Sequence, residues 1–205
     1  MFMSCATTQY QVEKNSIKEL AGQKTVFLDV IMAPRKLKVM PLIDAGIYNS
    51  IVNKAEPELS RVEKRKLSSM NSELSEMYAD SYNAEVVRAV FPAGQTPALK
   101  SFSNADEYTT AQLVKLCGDN KAEFIVTTVG QIQCTDVGAF GIRAANRMNM
   151  SVCIFDKSGQ LIAQGKVNTK ERIAGGDDTA VYGLLFDEGA THCSTLLQRL
   201  AVSKK

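Results

Sequence analysis

The side chains able to do acid, base, nucleophilic or metal chemistry are few in this chain, and their spacing limits what they can do. His192 is the single histidine. One imidazole excludes every multi-histidine metal site and leaves one possible imidazole base. Its neighbour Cys193 forms no dyad with it, because adjacent residues on a helix project about 100° apart. The cysteines Cys5, Cys117, Cys134, Cys153 and Cys193 contain no CxxC pair, which argues against a zinc ribbon or a thioredoxin-like motif. Cys117, Cys134, Cys153 and Cys193 read as small buried hydrophobes, with disulfides among them left open. Cys134 and Cys153 are poor direct partners, because a shared hairpin places Cys153 far along the opposing strand. Asp177 and Asp178 follow Gly175 and Gly176 and could offer oxygens to a hard cation, yet a calcium site needs about six ligands and the EF-hand spacing is absent. A solvated turn is the simpler reading. The stretch Gly138-Ala139-Phe140-Gly141 lacks the Lys and Ser/Thr of a phosphate loop, and no Ser sits in a Gly-x-Ser-x-Gly elbow. The chain is therefore expected to be no enzyme and to hold no cofactor and no metal.

Bulk properties exclude further classes. The 205 residues suffice for one generous domain, with 45% hydrophobic and 22% charged residues, an ordinary globular balance. A net charge of +2, no Trp, and no basic stretch interleaved with aromatics argue against nucleic acid. No run reaches the roughly 18 apolar residues of a membrane-spanning helix.

The opening Met1-Phe2-Met3-Ser4-Cys5-Ala6-Thr7-Thr8 places a short apolar stretch and a small residue before Cys, then polar residues. It resembles the end of a bacterial lipoprotein signal peptide. That resemblance implies that Cys5 carries palmitate and other acyl chains, that the body is periplasmic, and that it is held to the outer membrane. Residues 1–23 are then anchor and flexible tether, and 24–205 a single globular domain.

The elements that must position these side chains follow from periodicity. Lys24 to Met32 is a continuous β-branched run of strand length, and Pro34 and Pro41 leave Arg35 to Pro41 as at most an edge strand. Pro57 opens a long helix to about residue 82, with Leu59, Val62, Leu67, Met70, Leu74, Met77 and Tyr78 inward. Arg61, Glu63, Lys64, Lys66 and Glu73 lie on its opposite face. A strand is expected over 84–91, and a short helix over 106–117 with Leu113, Val114 and Cys117 inward, stopped by Gly118. A strand follows over 122–134. After a mobile connection at 135–145, alternation over 146–156 marks another strand. Lys157-Ser158-Gly159 forms a turn into a partner strand ending near Thr169. Residues 170–180 read as a polar loop. A final helix runs over 184–202 with Phe186, Ala190, Cys193, Leu196, Leu197 and Leu200 inward.

This order, β-α-β-α-β-β-β-α, predicts an α+β two-layer sandwich: a mixed sheet of about five strands with the helices on one face. The early strands pair in parallel and the last three form an antiparallel meander. Ala122-Glu123-Phe124-Ile125-Val126-Thr127 and Phe155-Asp156-Lys157-Ser158-Gly159-Gln160-Leu161-Ile162 are similar to segments of a group of envelope lipoproteins. The group comprises the curli secretion-channel lipoprotein, the lipoprotein activators of penicillin-binding proteins, and the amino-terminal domain of the Tol translocation protein. Over residues 24–202 the element order resembles theirs. The resemblance implies an envelope accessory protein that associates with other proteins or with itself. Contact candidates are Phe102, Phe140 and Ile142 on loops and Met70 and Met77 on the long helix. The alternative is a small-ligand module with a pocket between sheet and loops.

Overall fold

A computed structural model of the chain describes residues 10–14, 20–38, 59–90, 108–136, 143–175 and 179–201. Strands β1 (Tyr10–Lys14), β2 (Thr25–Leu28) and β3 (Ile31–Lys38) precede helix α1 (Arg61–Tyr82). Strand β4 (Val86–Ala89) and helix α2 (Thr110–Asn120) follow. Then come β5 (Phe124–Asp136), β6 (Arg143–Asp156), β7 (Leu161–Asn168), β8 (Arg172–Gly175) and helix α3 (Thr179–Ala201). All eight strands form one open mixed sheet, ordered β1-β7-β6-β5-β2-β4, with β3 also on β5 and β8 also on β6. The α+β class is the expected one. So is the division of pairing: β2 runs parallel to β4 and β5, whereas β5, β6 and β7 form an antiparallel meander.

Three expectations about the sheet are corrected. Within residues 6–23, expected to be tether, Tyr10–Lys14 pairs antiparallel with β7 as an added edge strand. Its main-chain groups find partners on a strand that sequence pattern alone does not announce. The run Lys24–Met32 divides at Asp29 and Val30. There the Val30 amide leaves the ladder and donates to Asn71 Oδ1 on α1 at 2.8 Å. Residues 172–175, read as loop, form β8 on the far part of β6.

The helix ends are set by side-chain caps. Ser60 and Glu63 form a reciprocal capping box: Ser60 Oγ accepts from the Glu63 amide, and Glu63 Oε2 accepts from the Ser60 amide at 2.8 Å. The helix therefore starts at Arg61 and not at Pro57. Glu63, expected on the solvent face, is buried by folding back onto its own cap. Asn83, in left-handed geometry, ends α1, with the Ala84 amide donating to the Ala79 carbonyl. Thr109 and Gln112 repeat the capping box on α2. That helix runs through Gly118 and stops at left-handed Lys121, where the Ala122 amide donates to the Cys117 carbonyl at 3.0 Å.

The helices cover both faces of the sheet, which corrects the one-face expectation. Met70, Leu74 and Tyr78 of α1 and Phe186, Cys193, Leu196 and Leu197 of α3 share a core with Phe27, Val126, Ile132, Met148 and Val152. On the opposite face Leu113 and Cys117 of α2 pack with Val26, Leu28, Ile125, Cys153 and Phe155. Alternation along each strand sends neighbours to opposite faces, so Val26 and Phe27 belong to different cores. Val62 and Val114, both expected inward, are 41% and 43% exposed. α1 and α3 run in the same direction, joined by Lys66 to Asp187 near one end and Tyr82 Oη to the Leu197 carbonyl near the other. Their close seat on the sheet requires glycine: a Cβ on Gly165 would stand 2.6 Å from Leu196 Cδ1, and one on Gly189 2.7 Å from Met148 Sδ. The β6–β7 turn is as read. Asp156 Oδ1 accepts from the Ser158 and Gln160 amides, and Gly159 takes a positive φ of 78°.

Candidate interaction surface

The residues with chemical potential serve to hold elements together. Glu188 on α3 accepts from the Lys170 amide at 2.9 Å and from Arg172 Nε and Nη2 at 3.1 and 2.9 Å, and His192 Nε2 lies 3.4 Å away. Helical spacing places Glu188 and His192 on one face, and the turn out of β7 delivers Lys170 and Arg172 to it. Burial pushes the Glu188 carboxyl up, but the Lys170 amide and the Arg172 guanidinium outweigh it and leave the group below the usual carboxylate range. The cluster is a clasp between β8 and α3. Sequence spacing pairs only Glu188 with His192, because Lys170 and Arg172 join them only when β8 pairs with β6.

Among the described residues, Cys117, Cys134, Cys153 and Cys193 form no disulfide with one another. Cys134 stands opposite Asn146 and Cys153 opposite Thr127, so the hairpin keeps those two thiols well apart, as the strand pattern predicted. Cys117, Cys153 and Cys193 are buried. Burial pushes the Cys193 thiol up to about 12 and, with help from Glu123 and Asp156, the Cys117 thiol up to about 11. Such thiols hold almost no thiolate at neutral pH and are poor nucleophiles. Among the described residues no group of His, Cys, Asp and Glu has the geometry of a metal site.

Of the expected contact residues, Met70 is buried in the core under α1 and Met77 packs half-buried against it, so both methionines fill space beneath the helix. Phe102, Phe140 and Ile142 lie outside the described residues, as do Cys5, Asp177 and Asp178. A shallow groove of about 360 Å³ is lined by Val114, Cys117, Gly118, Lys121, Ala122, Glu123 and Lys157, at the end of α2. Lys157 is paired there with Glu123 at 2.8 Å, which raises its pKa.

What remains exposed and structured is the margin of the sheet. Among the described residues β1, β3, β4 and β8 each pair with one strand, leaving four rows of backbone donors and acceptors with no strand partner. β4 is tied in place by Arg88. Arg88 reaches Asp29 Oδ1 through Nε and Nη2 at 3.2 and 2.8 Å and Ser72 Oγ through Nη1 at 3.0 Å, tying the strand to α1 and to the β2–β3 bend. Val90, just beyond β4, is 71% exposed. No described helix is long and apolar enough to cross a membrane.

No family model matches the chain, and no curated protein matches it in sequence. Among solved structures it is similar to the PelC dodecamer from Paraburkholderia phytofirmans, with 11% identity, 97% of this chain and 100% of that one covered, and a TM-score of 0.44. It is similar to lipoprotein GNA1162 from Neisseria meningitidis at 12% identity, covering 84% and 99%, with a TM-score of 0.29. It is also similar to the LpoB C-terminal domain from Salmonella enterica at 13% identity, covering 73% and 84%, with a TM-score of 0.24.

Proposed function

We propose that this chain is a bacterial envelope lipoprotein that works by associating with other proteins and performs no catalysis. In this reading Cys5 is acylated and holds the body at the outer membrane, on its periplasmic side. The observation that carries it is the open sheet, whose single-sided strands can accept a strand from a partner through main-chain hydrogen bonds. The β4 edge, tied by Arg88 and with exposed Val90 beside it, is the one proposed here as the contact. Supporting it, the one histidine is held in the β8–α3 clasp, and the thiols of Cys117, Cys153 and Cys193 are buried.

Two experiments test the reading. Palmitate label is expected in the full chain expressed in a bacterial host and is expected to vanish in Cys5→Ala; absence of label removes the anchor. A photo-crosslinking residue at Val90 is expected to give a discrete adduct in cells, and the same residue at exposed Lys115 of α2 none. Recovery of the protein alone at both positions would make association through this edge the wrong class.

A further inference from the structure

We propose that the bilayer lies against the β1–β8 side of the sheet, so that the β4 edge faces away from the membrane. The inference rests on the Cys5 anchor and adds an orientation to it. It follows from how early the chain joins the sheet. Only five Cα steps separate Cys5 from Tyr10, the first residue of β1. A fully extended chain covers at most about 3.6 Å per residue, so the anchor lies within about 18 Å of Tyr10 whatever path it takes.

That radius excludes most of the molecular surface. β1 and β4 are opposite ends of a six-strand path, five inter-strand steps apart. At about 4.8 Å per step the β4 edge is about 24 Å from β1, beyond the anchor's reach. Tyr10 is level with Val167 of β7, which is level with Met150 of β6. The β6–β7 turn begins at Asp156, six residues further along β6, or about 20 Å away, also out of reach.

In the opposite direction the anchor meets a suitable surface. β8 occupies the same side of β6 as β7, and Ile173 stands opposite Ala145. Ala145 is five residues from Met150, so Ile173 lies about 17 Å along the strand axis from the Tyr10 level, within reach of the anchor. Ile173 is 63% exposed, and exposed Lys170 precedes it. An apolar side chain beside a long cationic one suits the headgroup and acyl boundary of a bilayer. Glu188 holds Arg172, which ties β8 to α3.

The absence of Trp from the chain makes the test site-specific. Ile173→Trp and Val90→Trp each introduce one reporter at an exposed position. The acylated full chains are reconstituted into phosphatidylethanolamine and phosphatidylglycerol vesicles containing lipids brominated near the top of the acyl chains. Emission of Ile173→Trp is expected to fall about twofold and shift to the blue, as for a side chain at the interface, while Val90→Trp is unchanged. Equal quenching at both positions, or quenching at Val90→Trp alone, overturns the orientation. Mass analysis of the Cys5 peptide separates the two layers of the argument. An unacylated peptide removes anchor and orientation together. An acylated, vesicle-bound protein with an unquenched Ile173→Trp removes the orientation and leaves the anchor standing.

Discussion

On one face of the sheet Phe27, Val126, Ile132, Met148 and Val152 meet Met70 and Leu74 of α1 and Leu196 and Leu197 of α3, all buried. On the other, among the described residues, α2 brings buried Leu113 and Cys117 and half-buried Leu116 over Val26, Ile125 and Phe155. Beyond α2 the same strands carry Thr127, Gln131 and Ser151, buried and polar. Two parallel helices sit so close to the first face that a Cβ on Gly165 would stand 2.6 Å from Leu196 Cδ1 and one on Gly189 2.7 Å from Met148 Sδ. The first face is where removal of apolar volume is most costly, since its neighbours are large, numerous and locked by two helices. The second mixes apolar contact with buried polar groups, and a change in volume there is expected to cost less.

Matched substitutions test that contrast. Leu196→Ala is expected to destabilise the protein by about 4 kcal/mol and Leu113→Ala by about 2 kcal/mol, since the cost of a cavity rises with how little its walls can collapse. Urea denaturation of both variants measures the difference, and equal losses would break the comparison. Gly165→Ala forces a methyl into Leu196 and is expected to cost about 2 kcal/mol by overpacking. Pairing it with Leu196→Ala sharpens the result: the double variant should recover part of the loss if the two groups compete for one space.

A smaller effect comes from the Glu188 clasp, which joins the first face to β8. Its carboxyl is held below the ordinary range in the folded protein, so its stabilisation is present above that range and is lost as pH falls through it. Glu188→Gln is expected to cost about 1 kcal/mol at neutral pH and to flatten the fall in stability on acidification. Denaturation midpoints across the acid range check the sign, and an unchanged acid slope would remove the clasp from the account. Smallest, and opposite in sign, is Gly118→Ala. With a helical backbone and nothing within 4 Å of the new Cβ, it is expected to stabilise by about 0.5 kcal/mol.

The elements legible in the sequence were those whose own pattern suffices. Phe186, Ala190, Cys193, Leu196, Leu197 and Leu200 repeat at helical spacing and are all buried in α3. Met148, Met150, Val152 and Ile154 alternate and all face the first core. The Asp156 turn was readable from Asp and Gly at fixed offsets. β1 and β8 were missed for a shared reason. Tyr10–Lys14 and Arg172–Gly175 are short and unremarkable, and become strands only because β7 and β6 offer them unpaired backbone. The start of α1 at Ser60 was obscured by Pro57, and its Ser60–Glu63 capping box, though present in the sequence, was taken for exposed charge. The Glu188 clasp left no local trace, since Lys170, Arg172 and Glu188 are far apart until β8 forms.

By itself the sequence determined the helices, the antiparallel meander and the α+β class, because these depend on side-chain periodicity within one segment. It also placed a candidate anchor at Cys5. Tertiary structure alone decided that α2 crosses to the other face, that the described residues build eight strands and not five, and that Tyr10–Lys14 joins the sheet. Those outcomes depend on which backbone edge stands beside a segment once the core has formed, and hydrogen bonds to such an edge are made by every residue type alike.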